Sequence, residues 1–164
     1  MSMTAFCIVA GFGALMAFFY SMDPVIDFAV DRVDGFGVSN RNFEEAKLLF
    51  NISADFSKLV HVNTRLFYAY IEAEWESSNG VNQHRSILWN KLVYRENPYV
   101  KLTSVPGSFT FRQVGESMKG KTIRLYFRFQ LVPFIGFFRT ATVKSMEFTL
   151  PSEHFNAPTV DVFY

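Results

Sequence analysis

No charged residue precedes Asp23: all 31 acidic and basic side chains of this 164-residue chain lie from that position onward. Within the uncharged stretch, every residue from Ala5 to Tyr20 (AFCIVAGFGALMAFFY) is apolar or glycine. Extended to Met3–Met22 the run has twenty residues, which as a helix would span ~30 Å, the hydrocarbon thickness of a bilayer. The sixteen-residue core suits a thin membrane such as that of the endoplasmic reticulum (ER). A core helix of a soluble domain would carry a polar stripe, and this run has none. A cleavable signal peptide is the rival reading. Against it, no Lys or Arg precedes the run, and no A-x-A pattern closes it.

The expectation is therefore a division at residue 22. Residues 1–22 form a short cytosolic stub and a transmembrane anchor, and residues 23–164 form one folded domain. Directly after Met22, Asp23, Asp27, Asp31 and Asp34 outnumber Arg32. A flank so poor in basic residues is free to translocate, which predicts a single-pass type II protein with its C-terminal domain across the membrane. Gly11 and Gly13 read as close packing against a neighbouring helix, and Cys7 as an inert thiol or an acylation site.

Beyond residue 22 the hydrophobic pattern has period two. Ile26, Phe28 and Val30 alternate with aspartates. Leu48, Phe50, Ile52 and Ala54 alternate with polar residues, and Ile123, Leu125, Phe127, Phe129 and Leu131 alternate with Thr122, Arg124, Tyr126, Arg128 and Gln130. Strands with one buried face look like this. Turn signals separate them at Asp34-Gly35, Ser78-Asn79-Gly80, Asn97-Pro98, Pro106-Gly107 and Lys119-Gly120. A parity change between Val143 and Met146 predicts a bulge, and Phe56–Val60 a short helical turn. The fold class that follows is all-β, an antiparallel β-sandwich of about seven short strands.

Two segments are apolar on both faces: Leu66–Ile71, where Leu66, Tyr68 and Tyr70 oppose Phe67, Ala69 and Ile71, and Ile87–Tyr94. In the latter, Ile87, Trp89 and Val93 are expected on one side, with Leu88, Leu92 and Tyr94 on the other. A covering loop, a membrane surface or a partner would account for the second face. Leu66, Tyr68, Tyr70, Leu88 and Leu92 are the candidate partner contacts.

Chemistry is sparse by comparison. A net charge of +1 gives no electrostatic footprint for nucleic acid. The single cysteine excludes an internal disulfide and a zinc ribbon, and His61, His84 and His154 stand in separate loops or turn edges without a carboxylate at ligand spacing. No cofactor or metal is implied. Glu72 and Glu74 share a strand face, where like charges are expected to meet arginines such as Arg124 and Arg128. Asn51-Ile52-Ser53 is an N-glycosylation sequon, usable only in the lumen. Leu131–Phe138 (LVPFIGFF) is read either as a hairpin tip dipping into the bilayer interface or as a buried strand end with its turn.

Ser21-Met22-Asp23-Pro24 looks like the nucleophile box of type I signal peptidases. That chemistry needs a positioned base, and the Gly-Asp segments in which that family holds its orienting acids have no counterpart here. The four residues are read instead as an exit from the membrane helix, stopped by Pro24.

A wider resemblance covers nearly the whole chain. Phe50–Trp75 (FNISADFSKLVHVNTRLFYAYIEAEW), Ile87–Val93 (ILWNKLV) and Phe129–Pro133 (FQLVP), together with the N-terminal run, resemble subunit 3 of the eukaryotic signal peptidase complex. Asn90 stands where that family has aspartate, and Val62 where it has tryptophan. The resemblance implies a single-pass type II ER membrane protein with a lumenal β-sandwich and no catalytic residues. It would be structurally required by the catalytic subunit that removes signal peptides, beside the other small membrane subunits. An independent membrane-tethered lumenal β-sandwich that binds another ligand is the alternative.

Overall fold

The computed structural model describes residues 11, 22–39, 43–77, 80 and 83–156. The run Ala5–Tyr20, apart from Gly11, and Ser21 lie outside the described residues. Among the described residues no helix is long and apolar enough to cross a membrane.

Among the described residues, eight strands follow one another: β1 (Val25–Val38), β2 (Phe43–Asp55), β3 (Thr64–Glu76), β4 (Gln83–Tyr94), β5 (Tyr99–Pro106), β6 (Phe111–Val114), β7 (Thr122–Pro133) and β8 (Arg139–Thr149). All pairings are antiparallel. One sheet has the order β1-β2-β5 with β6 also on β2, and the other runs β4-β3-β7-β8. Strand pairs thus join the two sheets in alternation along the chain.

The period-two pattern decides which side each sheet buries. On β7, Ile123, Leu125, Phe127, Phe129 and Leu131 are all buried. On β2 the inward set is Ala46, Leu48, Phe50, Ile52 and Ala54. Between the sheets lie aromatic rings: Phe56 stacks on Phe67 at 4.9 Å between centroids, and Phe129 meets both edge-on, at 5.4 and 6.2 Å. Phe28 of one sheet lies 5.7 Å from Phe127 of the other. Each buried ring contributes ~2–3 kcal/mol of apolar transfer, so this layer dominates the stability of the domain.

The sequence expectations need three amendments. Among the described residues the strands are longer and number eight, because the β5–β6 edge is interrupted at Gly107. Asp34-Gly35 is no turn: it lies inside β1, where Asp34 is an extra residue between the pairs Val33↔Leu48 and Gly35↔Lys47. A glycine within a strand often marks such a bulge. Leu88 is likewise an extra residue, between Ile71↔Trp89 and Glu72↔Ile87. The bulge turns Leu88 inward beside Trp89, and it is 1% exposed. Leu88 is therefore a core residue rather than part of the outer face, while Ile87, paired with Glu72, faces outward. The bulge near Val143 is present, since Phe127 pairs with Lys144 and Arg128 with Thr142. Ser57–Leu59 forms the short turn as a 3-10 helix, with the Asp55 carboxylate accepting the Ser57 N–H at 2.8 Å.

Gly107 stitches the layers together. Its N–H donates to the Leu48 carbonyl at 3.0 Å, and two residues later Phe109 N–H donates to the Leu88 carbonyl at 3.0 Å. A Cβ on Gly107 would stand 2.8 Å from the Leu88 carbonyl oxygen and 3.1 Å from that of Phe109. Both obstacles are backbone, so neither can swing away. Gly107→Ala is expected to cost on the order of 1–3 kcal/mol, read as a lower urea midpoint at unchanged slope.

A candidate docking face

The outer side of the β4-β3-β7-β8 sheet divides into two halves along its strands. In the first, β3 presents Leu66, Tyr68 and Tyr70, and β4 places Tyr94, Leu92 and Asn90 opposite them. Tyr68 and Tyr70 stack at 5.4 Å, and Asn90 Nδ2 donates to the Tyr68 hydroxyl at 3.0 Å. Leu92 is 48% exposed and Tyr94 54%. Four of the five sequence-nominated contacts share this patch; Leu88 does not. Burial and then the charge of Glu72 push the Tyr70 phenol above its ordinary value, so it stays neutral.

The second half is ionic. Tyr70 pairs with Arg128 across β3–β7 and Glu72 with Tyr126, which lets the guanidinium reach diagonally toward both glutamates. Arg128 Nη1 bonds Glu72, its Nη2 meets Glu74 at 3.2 Å, and its guanidinium lies 5.0 Å over the Tyr126 ring. Arg85 adds a second partner for Glu74 at 3.1 Å. Arg124 pairs instead with Glu147, at 3.4 Å and well exposed. The paired glutamates that could have suggested acid–base chemistry are engaged by arginine.

On the other sheet, Asn51 sits in a hydrogen-bonded trio. Asn51 Nδ2 donates to Asp31 at 3.0 Å, Asn51 Oδ1 accepts the Ser104 N–H at 2.8 Å, and the Ser104 hydroxyl donates to Asp31 at 2.5 Å. The hydroxyl of Ser104 and then the amide of Asn51 hold the Asp31 carboxyl below the usual range. Ser104 has φ of 54°, where non-glycine residues are uncommon. It is part of a β5 bulge, in which Thr103 and Ser104 together face Asn51. The nitrogen that would carry a glycan thus donates to Asp31, while the amide oxygen beside it supports this bulge.

Sequence spacing gave His154 no carboxylate, yet the fold brings one from 110 positions away: His154 Nε2 lies 2.5 Å from Glu44 Oε1. Glu44 also accepts the Ser117 hydroxyl at 3.3 Å and the Met118 N–H. The serine proton points at a carboxylate and not at the imidazole, so the order of a Ser–His–acid relay is absent from this trio. It is a clasp. Beside it Phe155 and Phe36 exchange backbone hydrogen bonds at 2.8 and 2.7 Å, closing the tail onto β1. His84 is on β4, not in a loop, with its ring 5.4 Å from that of Trp75. Among the described residues, no group of three or more His, Cys, Asp and Glu could hold a metal ion.

At one pole of the sandwich, the β7–β8 connection exposes Phe134, Ile135, Phe137 and Phe138. The buried-end reading of Leu131–Phe138 therefore fails beyond Pro133, while Leu131 itself is buried.

What the described residues bring together is a surface and its support: a framework sandwich that displays a broad, partly aromatic face. The chain belongs to the signal peptidase subunit family, whose model it matches over residues 1–153. Its relatives include the mouse protein named adipocyte-related X-chromosome expressed sequence 1, 32% identical over 108 residues, or 64% of this chain and 59% of that protein. Signal peptidase complex subunit 3 of Dictyostelium discoideum is 22% identical over 136 residues, 83% of this chain and 79% of that one. The subunit 3 of Caenorhabditis elegans is 29% identical over 118 residues, 70% and 64% respectively. The match spans about 59% of the length of the mouse relative. The family read from Phe50–Trp75, Ile87–Val93 and Phe129–Pro133 is the family matched.

Proposed function

We propose that this chain is a non-catalytic, structurally required subunit of the ER signal peptidase complex, supporting the catalytic, serine-type subunit as it removes signal peptides from secretory precursors. In this reading residues 1–22 are the signal-anchor of a single-pass type II protein. Residues 23–164 form the lumenal domain, and the other small membrane subunits are its neighbours. The family match over residues 1–153 carries the proposal. It is supported by the uncharged run Ala5–Tyr20 and by the half-exposed patch of Leu66, Tyr68, Tyr70 and Leu92, which offers a sideways docking surface for the catalytic subunit. A patch with aromatic anchors and a charged rim has the make-up of an interface centre.

The test is a mild-detergent pull-down of the tagged full-length chain, with the eluate assayed on a secretory precursor. Leu92→Glu is expected to weaken recovery of the peptidase roughly thirtyfold, equivalent to ~2 kcal/mol, without lowering the melting temperature. Ser21→Ala should leave cleavage intact. A monodisperse chain with no companion protease would favour a free-standing binding module instead. A peptidase activity of the isolated chain, lost in Ser21→Ala, would overturn the non-catalytic assignment.

A further inference from the structure

Several features converge on the pole of the sandwich where β1 begins. β1 enters with Val25 opposite Asp55, the last residue of β2. The chain then passes through 56–63 to Thr64, which lies opposite Pro133 at the end of β7. The start of β1 and the β7–β8 tip therefore share one pole, on two sheets about 10 Å apart. Pro24 is buried and Met22 packs against the core, so the chain is fixed to the sandwich almost as soon as the uncharged run ends. From Tyr20 to Pro24 the covalent reach is at most ~14 Å.

The tip at this pole is apolar, exposed and held in place. Phe137 is 83% exposed, Phe138 63%, and Val62 on the neighbouring turn 93%. Asn63 clasps the tip: its Nδ2 donates to the Ile135 carbonyl at 2.7 Å, its Oδ1 accepts the Ile135 N–H at 3.0 Å, and its backbone carbonyl accepts the Phe134 N–H at 2.9 Å. The Arg95 guanidinium lies 5.8 Å over the Phe134 ring and donates to the Thr64 carbonyl at 3.2 Å. Clasped in this way, the rings are presented to solvent at standing cost, which marks an interaction site. Lys58, Arg65, Arg95 and Arg139 belong to the segments that meet at this pole, as do Asp23, Asp55 and Glu96, and Arg95 lies against the tip itself. Asp55 is engaged by Ser57.

We propose that this pole is a membrane-contacting surface, with Phe137, Phe138 and Val62 inserted into the interfacial layer of the bilayer and basic side chains of the pole, Arg95 first, toward anionic headgroups. The inference rests on the anchor reading of Ala5–Tyr20. It adds that the domain is seated on the lipid by a second, independent contact. A lipid surface fits better than a protein because the tip lies beyond the strand ends at the pole where β1 begins, the side on which the anchor reading puts the membrane. The patch of Leu66, Tyr68 and Leu92 faces sideways. Exposed aromatics with a basic side chain beside them match the chemistry of a lipid interface.

The experiment uses the full-length chain with Cys7→Ser, so that an introduced cysteine is unique. Phe137→Cys carries an environment-sensitive fluorophore in proteoliposomes that contain anionic lipid and a shallow nitroxide-labelled lipid. Val114→Cys, exposed at the opposite pole, serves as the reference, and Phe138→Cys repeats the measurement. The expected result is blue-shifted emission and at least threefold nitroxide quenching at the tip, with neither at Val114. A tip probe as unquenched as the reference overturns the proposal. So does a blue shift without lipid quenching, which would place a protein over the tip. Alkaline carbonate separates the failures: a chain that is extracted loses the anchor and this proposal together, whereas a retained chain with an unquenched tip loses this proposal alone.

Discussion

Phe129→Ala is expected to cost ~3–5 kcal/mol, a large part of the 5–15 kcal/mol that a domain of this size holds in reserve. Phe129 is fully buried, and its ring meets both Phe56 and Phe67. Removing it leaves a cavity between two sheets whose backbones are locked by hydrogen bonds and cannot collapse into the space. The melting temperature should fall by roughly 10 °C or more. Phe137→Ala removes the same atoms from an 83% exposed position and should stay within about 0.5 kcal/mol of the parent. Calorimetry on the two variants decides the matter. Equal losses would mean that the tip ring is packed, contrary to the structure.

Arg128→Ala carries the second large effect. It removes the partner shared by Glu72 and Glu74, whose side chains are only 14% and 19% exposed, and leaves two like charges on neighbouring rows of one strand face. Breaking a fully buried pair from one side costs 3–5 kcal/mol, and partial solvation together with Arg85 on Glu74 reduces this to about 2–3 kcal/mol. Arg124→Ala, which frees an exposed Glu147, is expected to cost no more than about 0.5 kcal/mol. Urea titrations of both variants test the contrast. High salt should narrow the gap only slightly, because the Arg128 pairs are largely shielded from solvent.

These two arginines show where sequence reading succeeded and where it stopped. The alternation around Ile123–Leu131 placed both on the solvent side of one strand, opposite the glutamates. It could not say which arginine would take both carboxylates, because that depends on the diagonal offset between β3 and β7. Leu88 marks a sharper limit. Strict alternation from Ile87 to Tyr94 puts it beside Leu92, but one extra residue shifts the parity and sends it to the core. A bulge changes the face of a side chain without changing its chemistry, and the apolar run ILWNKLV reads equally well either way. The same ambiguity made Asp34-Gly35 resemble a turn. The parity change near Val143 was legible because polar residues flank it and reveal the slip.

Long-range partners were harder still. Glu44 and His154 carry no mutual signal in the sequence, and neither do Asn51 and Ser104. Each pair meets only because strands distant in the chain become neighbours in a sheet or close over its end. The sequon at Asn51 was visible as a motif, whereas its engagement with Asp31 and Ser104 was not.

By itself the sequence determined the period-two strands, the all-β class, the segregation of charge away from the first 22 residues and the family. These properties are written in local order, in which residue types alternate, cluster or are missing, and local order survives without coordinates. Only the tertiary structure decided that Leu88 is core, that Arg128 spans two glutamates, and that the Phe137 tip shares a pole with the start of β1. Those outcomes follow from register and from which strand ends meet, and register is fixed by the collective packing of two sheets rather than by any one segment.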